Sequence, residues 1–221
     1  MGNTNVSIVT YNTSERDLNR CVASLRLCNA VDKIFVIDNS PTSRLKRIIE
    51  DLSCQYFHDP QNTGYGAGHN LAIKISLSQE KAYHLVINAD VYFEYPLVDS
   101  CVKFLSENAN AGMVMPKILN PDGSNQKLAK FVPTPFDLLV RLFLPKYIRE
   151  RMGSRLLIDR YDPSCPTFVP YLSGCFMLLR TQVLKSTGLF DERFFMYPED
   201  IDLTRRIAVA HDTIYLPTEF A

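Results

Sequence analysis

Apolar positions along the chain fall into short β-branched runs, separated by stretches where they recur every three or four residues. Val6-Ser7-Ile8-Val9-Thr10 is one such run and Ile34-Phe35-Val36-Ile37 a second. Cys54 to Phe57 reads as a third strand and His84 to Ile87 as a fourth. After the first run, Thr13-Ser14 is placed to cap a helix carrying Leu18, Cys21, Val22 and Leu25 at i, i+3, i+4 and i+7. After the third, a glycine-rich turn leads into a helix whose predicted inward face is Ala67, Leu71 and Ile75. Pro96 opens another helix with Leu97, Cys101 and Phe104 inward, as expected of proline at the first helical position.

The second half is less regular. Gly112 to Met115 reads as a strand, and Asn120-Pro121-Asp122-Gly123 as a turn. Phe131 to Ile158 mixes proline, aromatic and basic residues and suits partial helix. Leu172 to Leu179 is strand-like, and Thr181 is placed to cap a short helix that Gly188 ends. Glu199 to Ala210 follows helical spacing with Leu203, Ile207 and Ala210 on one side, before a last strand from Thr213 to Leu216. Strands alternating with helices predict an α/β fold with a mostly parallel central sheet and helices on both faces. With 221 residues, no internal repeat and no low-complexity linker, a single domain over 1–221 is expected.

Ligands of such sheets sit beyond the carboxyl ends of the strands. Four polar sequences fall there or in adjoining turns: Thr10-Tyr11-Asn12, Asp38-Asn39, Asn62-Thr63-Gly64 and Asn88-Ala89-Asp90. A divalent cation on a diphosphate needs only one or two hard oxygen ligands from protein, which suits Asp90; an Asx turn closing the strand explains the same tripeptide. Glu199, Asp200 and Asp202 open a helix, where the dipole favours acids in any case. The aromatic-rich stretch before them, Phe190 to Tyr197, is also suited to bury part of the cluster and make one carboxylate a general base. In Asn62 to Asn70 the glycines stand at 64, 66 and 68, with His69 where a dinucleotide fingerprint needs its third glycine. That pattern also follows a later strand, which disfavours a dehydrogenase. The glycines suit close approach of backbone to a nucleotide or neighbouring strand, or simply a flexible turn.

Composition narrows the classes further. Lys plus Arg and Asp plus Glu each total 24, so electrostatic binding of nucleic acid is not favoured. The charge is uneven, with a basic middle from Lys127 to Arg160 and an acidic end from Asp191 to Glu219. Six scattered cysteines without a CxxC pair predict buried free thiols in a reducing cytoplasm. Neither a signal peptide nor a run of eighteen apolar residues is present, so a cytoplasmic protein is expected. The four histidines lack zinc-site spacing, and His84 inside its apolar strand reads as structural. Neither a nucleophile elbow nor a P-loop occurs. Phe136 to Arg155 interleaves apolar residues with Arg141, Lys146, Arg149, Arg151 and Arg155, suiting an anionic membrane surface, a lipid-diphosphate acceptor or a solvated basic face.

One ordered set of motifs goes beyond composition: VSIVTYN (Val6 to Asn12), VIDNS (Val36 to Ser40), QNTGYGAGHN (Gln61 to Asn70), INAD (Ile87 to Asp90), NPDG (Asn120 to Gly123), LSGCFMLLR (Leu172 to Arg180) and FDERFFMYPEDIDL (Phe190 to Leu203). Together they resemble the family 2 glycosyltransferases, and within them the bacterial rhamnosyltransferase-like enzymes. The resemblance implies a GT-A fold with a nucleotide-sugar-binding half over about 1–110 and an acceptor-binding half over about 111–221. It implies inverting transfer of a sugar, rhamnose at the family level, from a dTDP- or UDP-sugar to a hydroxyl of a glycan or lipid-linked acceptor in surface polysaccharide synthesis. Thr10, Tyr11 and Asn12 would line the nucleoside pocket, with Asp38-Asn39 at the base or ribose and Asn62, Gly64 and Asn70 beside the nucleotide. Asn88 to Asp90 would be a DXD-type motif, with Asp90 the ligand of Mn²⁺ or Mg²⁺ and Asn88 adding a neutral oxygen. Asp200 would be the catalytic base, Glu199 the second candidate, and Gly174 would shape the acceptor side. Family members usually continue past the strand equivalent to Thr213 to Leu216, often with a diphosphate-binding His; this sequence ends at Ala221, so a C-terminally truncated unit is expected. Two rivals stay open: a nucleotide-sugar-binding protein without turnover, and a sugar-nucleotide pyrophosphorylase. The latter needs a Gly- and Arg/Lys-rich signature after the first strand that Thr10-Tyr11-Asn12 does not supply.

Overall fold

A computed structural model describes residues 2–126 and 165–221. The expectations for Phe131 to Ile158, and with them the basic segment Phe136 to Arg155, lie outside the described residues. The chain runs β1 (Thr4–Thr10), α1 (Glu15–Leu25), β2 (Val31–Asp38), α2 (Lys46–Asp51), β3 (Gln55–His58), α3 (Tyr65–Ser78), β4 (Tyr83–Ile87), α4 (Leu97–Glu107) and β5 (Ala111–Lys117). After the undescribed segment come β6 (Thr167–Phe168), β7 (Phe176–Arg180), α5 (Thr181–Thr187), α6 (Glu199–Ala208) and β8 (Asp212–Phe220). All the strands join one eight-stranded sheet in the order β3-β2-β1-β4-β7-β5-β8-β6. The expected α/β fold is present. Its first four strands are parallel, and β7 is inserted antiparallel between β4 and β5.

That insertion decides where the site forms. The carboxyl ends of β1, β2 and β4 share one edge of the sheet because the strands are parallel. Antiparallel β7 starts at the same edge, with Phe176 opposite Ile87, so the residues just before β7 lie beside those just after β4. The Asn88 N–H donates to Cys175 O at 2.9 Å, carrying the ladder one rung past the strands. β8 is parallel to β5, so the helix preceding β8 must begin at this same edge, and α6 does so with Glu199.

Strand alternation sorts the two faces. Val6 and Ile8 pack with Leu18, Cys21, Val22 and Leu25 of α1 in the main core. Burying each leucine fully contributes about 1.5–3 kcal/mol. On the opposite face, Phe35, Ile37 and Ala72 form a smaller cluster against α3. The predicted inward face of α3 is corrected here. Leu71 is 39% exposed, while His69, Asn70, Ile73 and Ser76 are buried. The reason is that the sheet surface underneath presents Asn5 and Ser7 alongside the hydrocarbon of Phe35 and Ile37, on which Ile75 of the predicted face does pack. Ser7 Oγ lies 2.6 Å from His69 Nδ1 and 2.8 Å from His84 Nε2, and Ser76 Oγ lies 2.7 Å from His84 Nδ1. His84 is thus a satisfied structural residue, as expected.

Smaller differences have local causes. Leu172 to Cys175 is not strand: β7 starts only at Phe176, once pairing with β4 is available. Pro96 sits one place outside α4, at its N-cap. Thr181 does not cap but begins α5, and its hydroxyl reaches Lys81 O and Ala82 O instead. Ala210 lies beyond α6 and is exposed. The short elements α2 and β6 carry too few periodic positions to be read from the sequence. Cys21, Cys28, Cys54 and Cys101 are buried thiols, as anticipated. Among the described residues, no helix is long and apolar enough to cross a membrane.

Candidate active site

A cleft of about 420 Å³ opens at the shared edge, with Asn88, Asp90, Gly174, Glu199 and Asp200 all in its wall. Asp90 follows β4 in a turn closed by the Val91 N–H bonding to Asn88 O at 3.2 Å. Its side chain is exposed, and no described residue hydrogen-bonds its carboxylate. The turn therefore explains the backbone there and leaves the Asp90 carboxylate uncommitted. Among the described residues no three His, Cys, Asp or Glu side chains cluster as a self-sufficient metal cage. A hard cation that brings its own phosphate and water ligands does not need one.

The two acids of α6 sit in different surroundings. Asp200 is 6% exposed; its Oδ2 accepts from the Gly174 N–H at 3.0 Å and the Tyr171 hydroxyl at 3.3 Å, and its Oδ1 from the Ile201 N–H at 2.8 Å. Burial beside that carboxylate pushes the Tyr171 phenol well up, so it stays a donor. Glu199 is 3% exposed, and its Oε2 has no hydrogen-bond partner. Burial raises the Glu199 carboxyl above its ordinary range, and the adjacent Asp200 charge adds to this.

The remaining expected residues divide into an open group and a framework group. Tyr11 is 56% exposed and Asn12 adopts φ 51° just past β1, both available to a ligand. Thr10 and Asp38 are instead buried against each other. Asp38 Oδ1 accepts from Thr10 Oγ1 at 3.2 Å and the Ser40 N–H at 3.1 Å, and Oδ2 accepts from the Tyr56 hydroxyl at 3.1 Å. Asn39 holds the glycine turn through its amide, at 3.1 Å from Asn62 Oδ1 and 3.2 Å from Gly64 O. Asn70 clamps the loop ahead of α6: its amide donates to Phe190 O and Glu192 Oε1, both at 2.9 Å, and its Oδ1 accepts from the Phe190 N–H. The glycines also approach protein. A Cβ on Gly64, where φ is +107°, would stand 2.5 Å from Phe195 O, and one on Gly66 would stand 2.9 Å from Phe190 Cβ. The segment Asn62 to Asn70 thus docks the loop that carries Glu199 and Asp200.

Sequence reasoning did not single out Tyr65, Tyr171 or Cys175. Tyr65 Oη stands 2.7 Å from Gly174 O and 3.0 Å from Asn88 Oδ1, joining the two halves of the cleft. Cys175 lies in the wall, and burial raises its thiol to about 11, so it stays protonated. A tyrosine between two glycines carries no distinguishing local signal. Asp17 of α1 also faces the cleft, and with Asn88, Asp90 and Cys175 it lines an adjoining cavity of about 550 Å³.

Known proteins resemble this chain in sequence and in fold. The chain is 26% identical over 203 residues, 91% of its length, to the low-salt glycan biosynthesis hexosyltransferase Agl10 of Haloferax volcanii, and covers 60% of that protein. It is 30% identical over 170 residues, 71% of its length, to the N-acetylglucosaminyl-diphospho-decaprenol L-rhamnosyltransferase of Mycobacterium tuberculosis, covering 55% of it. The chain thus spans somewhat over half the length of these relatives. Among solved structures it superposes on the mannosyltransferase PcManGT of Pyrobaculum calidifontis, in complex with GDP-Man and Mn²⁺, with a TM-score of 0.65 at 14% identity. That match covers 99% of this chain and 55% of the other. The fold is GT-A, and the Glycosyl transferase family 2 pattern matches residues 5–188, so the chain belongs to that family.

Proposed function

We propose that this chain is the catalytic unit of an inverting glycosyltransferase that moves a sugar from a nucleoside diphosphate to a hydroxyl of a glycan or lipid-linked acceptor. The observation that carries the reading is that an unpartnered Asp90 and an aimed Asp200 face one cleft at the carboxyl edge of the sheet. The nucleoside rests against exposed Tyr11 and Asn12, over the buried frame of Thr10 and Asp38. The name of the mycobacterial relative favours a rhamnosyl donor and a lipid-diphosphate acceptor.

The donor set fits a divalent cation. Asp90 supplies a charged oxygen and Asn88 a neutral one, both hard ligands suited to Mn²⁺ or Mg²⁺. When bound, the ion neutralises charge developing on the departing diphosphate. Bond changes occur at one carbon. The acceptor oxygen attacks the anomeric carbon as the bond to the diphosphate oxygen breaks, and the acceptor proton passes to Asp200. The Gly174 N–H and the Tyr171 hydroxyl hold that carboxylate in one orientation, which favours proton transfer through positioning. Glu199, whose carboxyl burial raises and whose Oε2 finds no partner among the described residues, is the second candidate for that role.

A panel of UDP-, dTDP- and GDP-sugars with Mn²⁺ or Mg²⁺ tests the reading. Asp200→Asn is expected to retain nucleotide binding and lose roughly 10²–10⁴ in turnover. Unchanged turnover removes Asp200 from the base role. Nucleotide binding with no donor turned over by any full-length form refutes the enzyme reading.

A further inference from the structure

We propose that Tyr65 is a positioning residue: its phenol fixes the Asn88 amide so that the carbonyl oxygen faces the cleft beside Asp90. The proposal rests on the reading of that cleft as a metal–diphosphate site. Proton counting requires the orientation. A phenol has one proton, and the Gly174 carbonyl 2.7 Å away can only accept it. The Asn88 Oδ1, 3.0 Å from the same oxygen, then faces a lone pair. In that placement two acceptors meet with no proton between them. Turning the amide end for end brings its nitrogen to Tyr65 as a donor, and oxygen and nitrogen of an amide are assigned from such networks. The oxygen is left on the other side, where no described residue hydrogen-bonds it and where Asn88 lines both cavities together with Asp90.

Tyr65 is itself held firmly enough to impose this. Its N–H donates to Phe195 O at 3.0 Å, and its ring meets that of His69 nearly at right angles, centroids 4.4 Å apart. Beneath His69, hydrogen bonds run through Ser7, His84 and Ser76 to Asn5. An aspartate at position 88 would bring a second negative charge; a held asparagine brings an oriented oxygen without it. Groups that orient a metal ligand typically change metal affinity by roughly 10–100-fold when removed.

The test is Mn²⁺ binding, read by calorimetry and electron paramagnetic resonance in the presence of UDP or dTDP, with no sugar turned over. Tyr65→Phe is expected to weaken Mn²⁺ by roughly 10–100-fold and leave metal-free nucleotide binding unchanged. Asn88→Ala is expected to lose as much, and the double variant no more than either single. The Asn88 side-chain amide signals in a nitrogen-15 spectrum should shift in Tyr65→Phe. Unchanged Mn²⁺ affinity with unmoved Asn88 signals overturns the proposal. If Asn88→Ala costs nothing while Asp90→Ala abolishes Mn²⁺ binding, the proposal falls and the metal reading stands. If Asp90→Ala also costs nothing, the metal reading itself falls. Should Tyr65→Phe not fold, the wild-type spectrum decides: a nuclear Overhauser contact from the Asn88 amide protons to the Tyr65 ring supports the orientation, and its absence overturns it.

Discussion

Acidification should destabilise this protein through His84 and His69, well before its carboxylates are protonated. Both imidazoles are completely buried, and burial pushes His84 down to about 3 and His69 well below its ordinary range, with His84 adding to the second shift. In the unfolded chain each titrates near 6.5. Between these values the unfolded state binds protons that the native state refuses, so stability is full above about pH 6.5 and falls as the pH drops. Going from pH 7 to pH 5, His84 costs about 1.9 kcal/mol, and His69 adds in the same direction. The figure requires only that the native value of His84 lie below about 4. Urea denaturation across this range in wild type and His84→Asn isolates one histidine, because the other titrating groups are common to both. The variant is less stable at pH 7, having lost bonds to Ser7 and Ser76, but its deficit should shrink by about 2 kcal/mol at pH 5. Parallel pH profiles would refute the idea that His84 is buried in its neutral form.

Glu199→Gln should stabilise the fold at neutral pH, because burial raises this carboxyl in the native state and its ionisation costs stability as the pH rises from about 4.5. Thermal melting at pH 5 and pH 8 should show the gain at the higher pH; equal shifts at both count against it. Gly64→Ala combines positive φ with a contact onto Phe195 O, so a loss above about 1 kcal/mol is expected, measured by denaturation. Asn70→Ala removes the clamp on Phe190 and Glu192, and hydrogen exchange should quicken across Phe190 to Tyr197 while β1 and β2 keep their protection.

The parts of the fold legible in the sequence were those fixed by local period. β1 and β4 are buried on both faces and read as short apolar runs interrupted by Ser7 and His84, and α1 carries one unbroken stripe. Strand ends with polar tripeptides followed directly, which is how Asp90 and Asn88 were found. The inward face of α3 was not legible, because its inward residues His69, Asn70 and Ser76 are polar and their partners lie on β1, β4 and the loop before α6. Hydropathy selects Leu71 for the core; hydrogen-bonding demand selects His69. Asp38, Asn39 and Asn70 present the converse case. Each is a polar residue at the binding edge, which suggests a ligand contact, yet each finds its partners within the chain.

Tyr65 was hidden for a further reason, and it explains how the two halves become one site. The partners of its phenol are 23 and 109 residues away in sequence, and only the antiparallel insertion of β7 places them side by side. From there a single chain of contacts crosses the cleft. The Asn88 N–H bonds to Cys175 O, Tyr65 joins Asn88 to Gly174 O, and the Gly174 N–H bonds to Asp200. The peptide of Gly174 thus has its carbonyl on the Asn88 side and its N–H on the Asp200 side. A Cβ there would stand 3.4 Å from both Asp200 Cβ and the Tyr65 ring, at the near edge of ordinary contact, so a side chain would touch both at once. Glycine at 174 thus serves less through torsional freedom than through the space it leaves between Asp200 and the tyrosine that holds Asn88.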